Sequence, residues 1–188
     1  MKPDLVEELR DYYEQLENIK EDALELTAPL EDAQFNWRPS RKRWSISECL
    51  SHLNVANGLD VPQLSVEIDR GRAAGLTASG PFRYGFLSRA FVRFTEPPVR
   101  FKSKAPKAYT PTSGQPKEKV VAAFIAIHDQ LLDLILKANG LDLARIKVPT
   151  LMPRIKFSLG QRFALLAAHD RRHLRQAWDV RKHPSFPV

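Results

Sequence analysis

One cysteine, Cys49, stands in a chain of 188 residues. It excludes an internal disulfide and every zinc framework built on paired cysteines. No apolar run approaches the roughly 20 residues that cross a bilayer, so neither a spanning segment nor a membrane partner is expected. The opening Met1-Lys2-Pro3-Asp4 leads into charged residues without the apolar core of a secretory signal, and a cytoplasmic protein is expected. Internal repeats, low-complexity tracts and recognisable DNA-reading motifs are absent as well. Together these absences leave a globular protein whose chemistry rests on side chains other than thiols.

The composition fits that class. Apolar residues make up 43% and charged residues 27% of the chain, enough for one domain over residues 1–188 with a real core. The formal net charge is +7 and the sequence pI about 9.7. Basic residues thicken at Arg41-Lys42-Arg43, from Lys102 to Lys107 and from Arg171 to Lys182, and acidic residues gather in the first 32 positions. Such a balance permits an anionic partner, but a solvated helix face ion-paired to an acidic one gives the same statistics. No nucleic-acid partner is expected.

Apolar periodicity predicts four long helices. Leu5, Leu9, Tyr12, Leu16, Ile19, Ala23 and Leu26 recur at three and four across residues 4–27, and Pro29 closes the segment. Residues 29–44 read as a connector whose Phe35, Trp37 and Trp44 pack across one end of the helices. Ser45-Ile46-Ser47-Glu48 is a capping-box pattern that opens a second helix to about residue 69, with Pro62 as a bend or break. Residues 116–139 form the third helix and end at Asn139-Gly140. Ser158-Leu159-Gly160-Gln161 is a second capping-box pattern, opening a fourth helix to about Lys182. No strand is expected in the connector 141–157. Residues 70–115 are broken by glycines and prolines around an aromatic island, Phe82 to Phe94, that reads as a short helix. The island could line a pocket, cover a dimer interface or simply pack into the core. Four long helices without a convincing strand predict an all-α four-helix bundle with long connectors.

The last helix carries the chemistry. His169 and His173 stand four residues apart, so their imidazoles lie one above the other and can reach one metal ion. Leu165, Leu166 and Ala177 turn this side inward, where unpaired imidazoles need partners. The alternative is two hydrogen-bonded histidines at a partly buried surface. His52, two turns into the second helix, would complete a three-histidine face, or it is a hydrogen-bonded core histidine. Glu48, one turn earlier, is either the helix cap or a group that reaches the site, and the capping box favours the cap. Arg172 and Gln176 are candidates to support the histidines or to bind an anionic substrate group. Asp170, about 100° around the helix, is expected to point elsewhere. His128 is placed at the edge of the packed face, and His183 at the end of the last helix.

Three strings carry a resemblance to a known family. They are Phe35-Asn36-Trp37-Arg38-Pro39; Trp44-Ser45-Ile46 followed by Glu48 and His52; and His169-Asp170-Arg171-Arg172-His173-Leu174-Arg175-Gln176. The stretch from Glu96-Pro97-Pro98 to Pro111 also looks like a loop of one branch. In this order, over nearly the whole chain, they resemble the DinB-like (DinB/YfiT-like) superfamily of metal-dependent enzymes. The resemblance implies an up-down-down-up four-helix bundle. It implies one divalent metal ion, nickel or zinc, bound by His52, His169 and His173. It also implies hydrolysis or transfer of a low-molecular-weight thiol onto a small-molecule substrate. A homodimer is expected from the aromatic island. A bundle that binds metal without catalysis, or serves in a stress response, is the competing expectation.

Overall fold

The computed structural model describes residues 4–98, 109–150 and 156–187. Among these the chain is mostly helical. Helix α1 spans Glu7–Thr27, α2 Asp32–Asn36, α3 Ile46–Ala73, α4 Phe86–Thr95, α5 Lys117–Lys137 and α6 Leu159–Arg181. Two short strands, β1 (Lys147–Pro149) and β2 (Lys156–Ser158), complete the elements. The basic run Lys102 to Lys107, most of the loop from Glu96 to Pro111, Pro153 and the first three residues lie outside the described residues.

The four long helices follow their apolar stripes. In α1 the expected Leu9, Leu16, Ile19, Ala23 and Leu26 are buried. They meet Val120, Phe124, Leu131 and Ile135 of α5 and Phe163, Leu166, Leu174 and Ala177 of α6 in one core. Burying a Leu or Phe side chain contributes about 1.5–3 kcal/mol, so this shared core is the main force holding the helices together. Helix α1 packs on α5 and α6, α3 packs on the same two, and α4 lies against α6.

Polar contacts fix how the helices meet. Asn139, just past α5, accepts from the Val6 backbone N–H at 3.2 Å and donates to the Asp4 carbonyl at 2.9 Å. Lys20 pairs with Asp129 at 2.7 Å. Arg171 donates to Gln15 at 2.6 Å, and the Trp178 indole donates to Asp22 at 2.7 Å.

Several local expectations change. Residues 29–44 contain α2, which is opened by its own capping box between Glu31 and Gln34. Phe35 is fully buried, and Trp37 packs edge-on against Phe186 with ring centroids 5.5 Å apart. Pro62 does not break its helix into two elements, and α3 runs on to Ala73. Both Pro62 and Gly58, the residue one turn before it, are exposed. The carbonyl that loses its partner can therefore turn to water, and the proline ring costs little there.

The connector after α5 holds an antiparallel pair, with Val148 opposite Phe157, where no strand was expected. Each strand is only three residues long, too short for alternation to register, and both central side chains are buried. Ser158 sits at the N-cap of α6 but makes no side-chain cap. Its hydroxyl donates instead to the Gln161 side chain at 2.9 Å, and Gln161 in turn donates to Ser88 on α4. The second capping box is therefore replaced by a tether to α4. The aromatic island forms α4, and Phe91 packs on Phe157 at 5.5 Å. Phe86 and Phe94 are 74% and 62% exposed, so core packing does not account for them.

Candidate metal centre

Helix α3 begins with a complete capping box. The Glu48 N–H donates to Ser45 Oγ at 3.1 Å, and the Ser45 N–H donates to Glu48 Oε2 at 3.0 Å. This start fixes the phase of α3 and turns His52 inward, toward α6. Helix α6 presents His169 and His173 one turn apart on the facing side. Spacing paired His169 with His173, the family resemblance implied His52 as the third, and the structure brings the three together. Each offers one nitrogen, and the three nitrogens all lie within 4.8 Å of one another. His52 and His173 are buried and His169 half-buried.

The donor set suits a divalent cation. His52 Nδ1 lies 2.7 Å from the Tyr109 carbonyl oxygen, so it carries the proton and donates. In the neutral ring Nε2 is then left with its lone pair, and it faces His169 Nε2 at 3.2 Å. Two nitrogens each about 2.0–2.1 Å from one ion stand about 2.9–3.4 Å apart at octahedral to tetrahedral angles. The Nδ1 atom of His173 is buried without a hydrogen-bond partner among the described residues. His173 also offers one nitrogen within 4.8 Å of theirs, so the three imidazoles can share one ion.

Electrostatics favour the neutral, metal-binding form of all three rings. Burial lowers the pKa of His52, pushes His169 down to about 4 and pushes His173 down to about 2. The positive charge of Arg172 adds to the effect at each ring. Deprotonated imidazole is the ligand state, so no proton has to leave at neutral pH before an ion binds.

Trp44 forms a wall of the site. Its ring lies 5.0 Å from that of His52 and stacks on that of His173 at 5.6 Å. The sequence reading had placed Trp44 only at the end of the bundle. Gln176 follows His173 by three residues on α6, and its side chain works against the lowering of that ring's pKa by burial.

Glu48 does not face the histidines. It is buried and accepts from Arg38 Nε at 2.7 Å, Ser113 Oγ at 2.7 Å and the Ser45 N–H. Burial pushes its pKa up, but the Arg38, Ser45 and Ser113 donors outweigh this and hold it below the usual carboxylate value. A carboxylate so occupied is a cap and a clamp rather than a free base.

One expectation about neighbouring residues is corrected: His128 is not at an edge, because its side chain is fully buried. Asp170 points elsewhere than the three histidines, as expected, and it too is fully buried. His128 Nε2 lies 3.0 Å from Asp170 Oδ2, and Asn57 Nδ2 donates to both Asp170 oxygens at 3.0 and 3.1 Å. This trio ties α3, α5 and α6 together immediately behind His169. Asp60 and Arg162 form a second α3–α6 pair. His183 lies beyond α6, with its ring 5.5 Å from Trp37 and away from the triad.

A family model described as the DinB superfamily matches residues 15–177. No curated protein and no solved structure matches the chain. The matched span takes in α3 and nearly all of α6, and with them His52, His169 and His173 together with the capping box that orients them. On this match and the helical architecture that carries the triad, the chain belongs to the DinB superfamily.

Proposed function

We propose that His52, His169 and His173 hold one divalent metal ion, nickel or zinc, and that the protein is a metal-dependent hydrolase or low-molecular-weight-thiol S-transferase. The observation that carries this reading is the His52–His169 geometry. The Tyr109 carbonyl accepts a hydrogen bond from His52 Nδ1–H, which leaves the Nε2 lone pair to face a second imidazole nitrogen at 3.2 Å in a buried, neutral site. An ion held by three neutral imidazoles keeps its full charge, so it can polarise a carbonyl and acidify a water or thiol.

The chain's own residues supply the rest. Trp44 shields one side of the site and offers an aromatic face to a substrate. Arg172 places positive charge beside all three rings, which favours a carboxylate or phosphate on the small-molecule substrate. Gln176 steadies His173. Glu48, with its donors already in place, does not serve as the proton acceptor in this reading.

The same reading takes the chain as one DinB-like domain whose long helices run up-down-down-up. Residue pairings support it. Val6 meets Asn139 while Lys20 meets Asp129, which sets α1 against α5. Gln15 meets Arg171 and Asp22 meets Trp178, which runs α1 with α6. His52 meets His169 while Asp60 meets Arg162, which sets α3 against α6. The exposed Phe86 and Phe94 suit a homodimer, and a buried lone Cys49 suits a reducing cytoplasm. No helix among the described residues is long and apolar enough to cross a membrane. The reading includes neither a membrane nor a nucleic-acid partner.

A panel of thiols with electrophiles, and of esters and amides without them, tests the assignment on nickel- and zinc-loaded protein. Turnover that His52→Ala abolishes is the expected result. Stoichiometric metal with no turnover across the panel would favour a non-catalytic metal-binding or stress-response role.

A further inference from the structure

Residues 109–115 run beside the first turns of α3 and are tied down at Tyr109, Ser113 and Gln115. At the first residue, the Tyr109 ring packs edge-on against the His52 ring with centroids 6.3 Å apart. At the middle, Ser113 Oγ donates to Glu48 Oε1 at 2.7 Å and accepts from Arg38 Nη2 at 3.0 Å. At the end, Gln115 Nε2 donates to Ser51 Oγ at 3.2 Å, and the Gln115 carbonyl accepts from Asn36 Nδ2 at 3.0 Å. Gly114 has φ of 69°, a left-handed conformation that lets the strap turn between its Ser113 and Gln115 anchors.

What this strap delivers to the site is one atom, the Tyr109 carbonyl oxygen, 2.7 Å from His52 Nδ1. We propose that residues 109–115 form a positioning strap: anchored by Glu48–Ser113 and Ser51–Gln115, it presents the Tyr109 carbonyl that fixes the tautomer and orientation of His52. The proposal rests on the metal-site reading for its consequence, but not for its geometry. A backbone carbonyl cannot be removed by mutation, so the side chains that hold it carry the control. Glu48 acts twice, as the cap that phases α3 and as the acceptor that holds the strap. That double duty accounts for a buried carboxylate with donors from Arg38, Ser45 and Ser113 so near a three-histidine cluster and yet turned away from it. Groups that orient a ligating histidine typically change metal affinity by 10–100-fold when removed.

Ser113 is exposed and Gln115 half-buried, so S113A/Q115A removes both anchors with little loss of packing. Long-range proton–nitrogen NMR on the full-length, metal-free protein reads the His52 tautomer, with its signals assigned by their loss in His52→Ala. Wild type should hold His52 entirely as the Nδ1–H form. The double variant should show a mixture of tautomers and bind zinc at least about tenfold more weakly, with unchanged helical content. Ser113→Thr, which keeps the hydroxyl, should restore the wild-type spectrum in a Ser113 single-site series, and Glu48→Gln gives an independent break of the same anchor.

An Nδ1–H tautomer and a zinc affinity both unchanged in the folded double variant would overturn the proposal. So would an Nε2–H tautomer in wild type, or a tautomer shift that leaves zinc affinity untouched. If wild type binds no zinc at all, the metal reading falls, and the tautomer comparison alone decides the strap.

Discussion

His128 Nε2 and Asp170 Oδ2 lie 3.0 Å apart with both side chains fully buried, so α5 and α6 share a polar contact in the protein interior. Removing one partner leaves the other buried with one hydrogen bond unmade, a loss of about 1–3 kcal/mol. Asp170→Ala and His128→Ala should each destabilise the protein by that order in urea unfolding. The double variant should cost clearly less than the sum, because the two residues act on one interaction. Additive costs would mean that the pair is not coupled.

Acid should weaken the metal-free protein through its histidines. In the unfolded chain they take up protons near the ordinary value of 6.5, whereas burial holds His169 down to about 4 and His173 to about 2. The unfolded state therefore binds more protons across this window. The contribution is fully present above pH 6.5 and is lost as pH falls through the folded values. The melting temperature of apo protein should fall steadily from pH 6.5 towards 4, and His169→Phe should flatten that slope. An equal slope in the variant would place the acid sensitivity elsewhere.

Metal should raise stability by mass action. An ion that binds only the folded state adds about 2.7 kcal/mol at a hundredfold excess over its dissociation constant. Zinc or nickel added to apo protein should raise the melting temperature, a chelator should reverse the rise, and His52→Ala should abolish it. An equal rise in His52→Ala would point to binding outside the triad.

Gly160 marks a close approach between the start of α6 and the segment before α4. A Cβ there would stand 1.9 Å from Tyr84 Oη and 3.0 Å from Glu8 Oε1. Gly160→Ala should cost about 1–3 kcal/mol, the range for forcing extra volume into a packed site. Tyr84→Ala should relieve most of that cost when combined with it. An Ala at 160 that leaves the unfolding midpoint unchanged would show that Tyr84 yields freely.

The His169–His173 pair was legible in the sequence from local pattern, and His52 joined it through the family resemblance. His169 and His173 share a helix face at four-residue spacing, and the capping box before His52 fixes its phase. The Asp170 trio was not legible for a reason of packing. Helix α6 is covered by α1, α3 and α4 together, so it buries more than one stripe, and a residue 100° from His169 is interior as well. The direction of Glu48 was half legible. Its cap follows from Ser45 three residues earlier, but its clamp on Ser113 joins positions 65 residues apart, which no local pattern encodes. The Tyr109 carbonyl is backbone, so its contact with His52 leaves no mark in residue type.

Elemental analysis of protein purified without a histidine tag, wild type beside His169→Ala, tests the central claim most directly. The account predicts close to one nickel or zinc per chain in wild type and none in the variant. Wild-type protein that stays free of metal after incubation with either ion, while remaining folded, would contradict it.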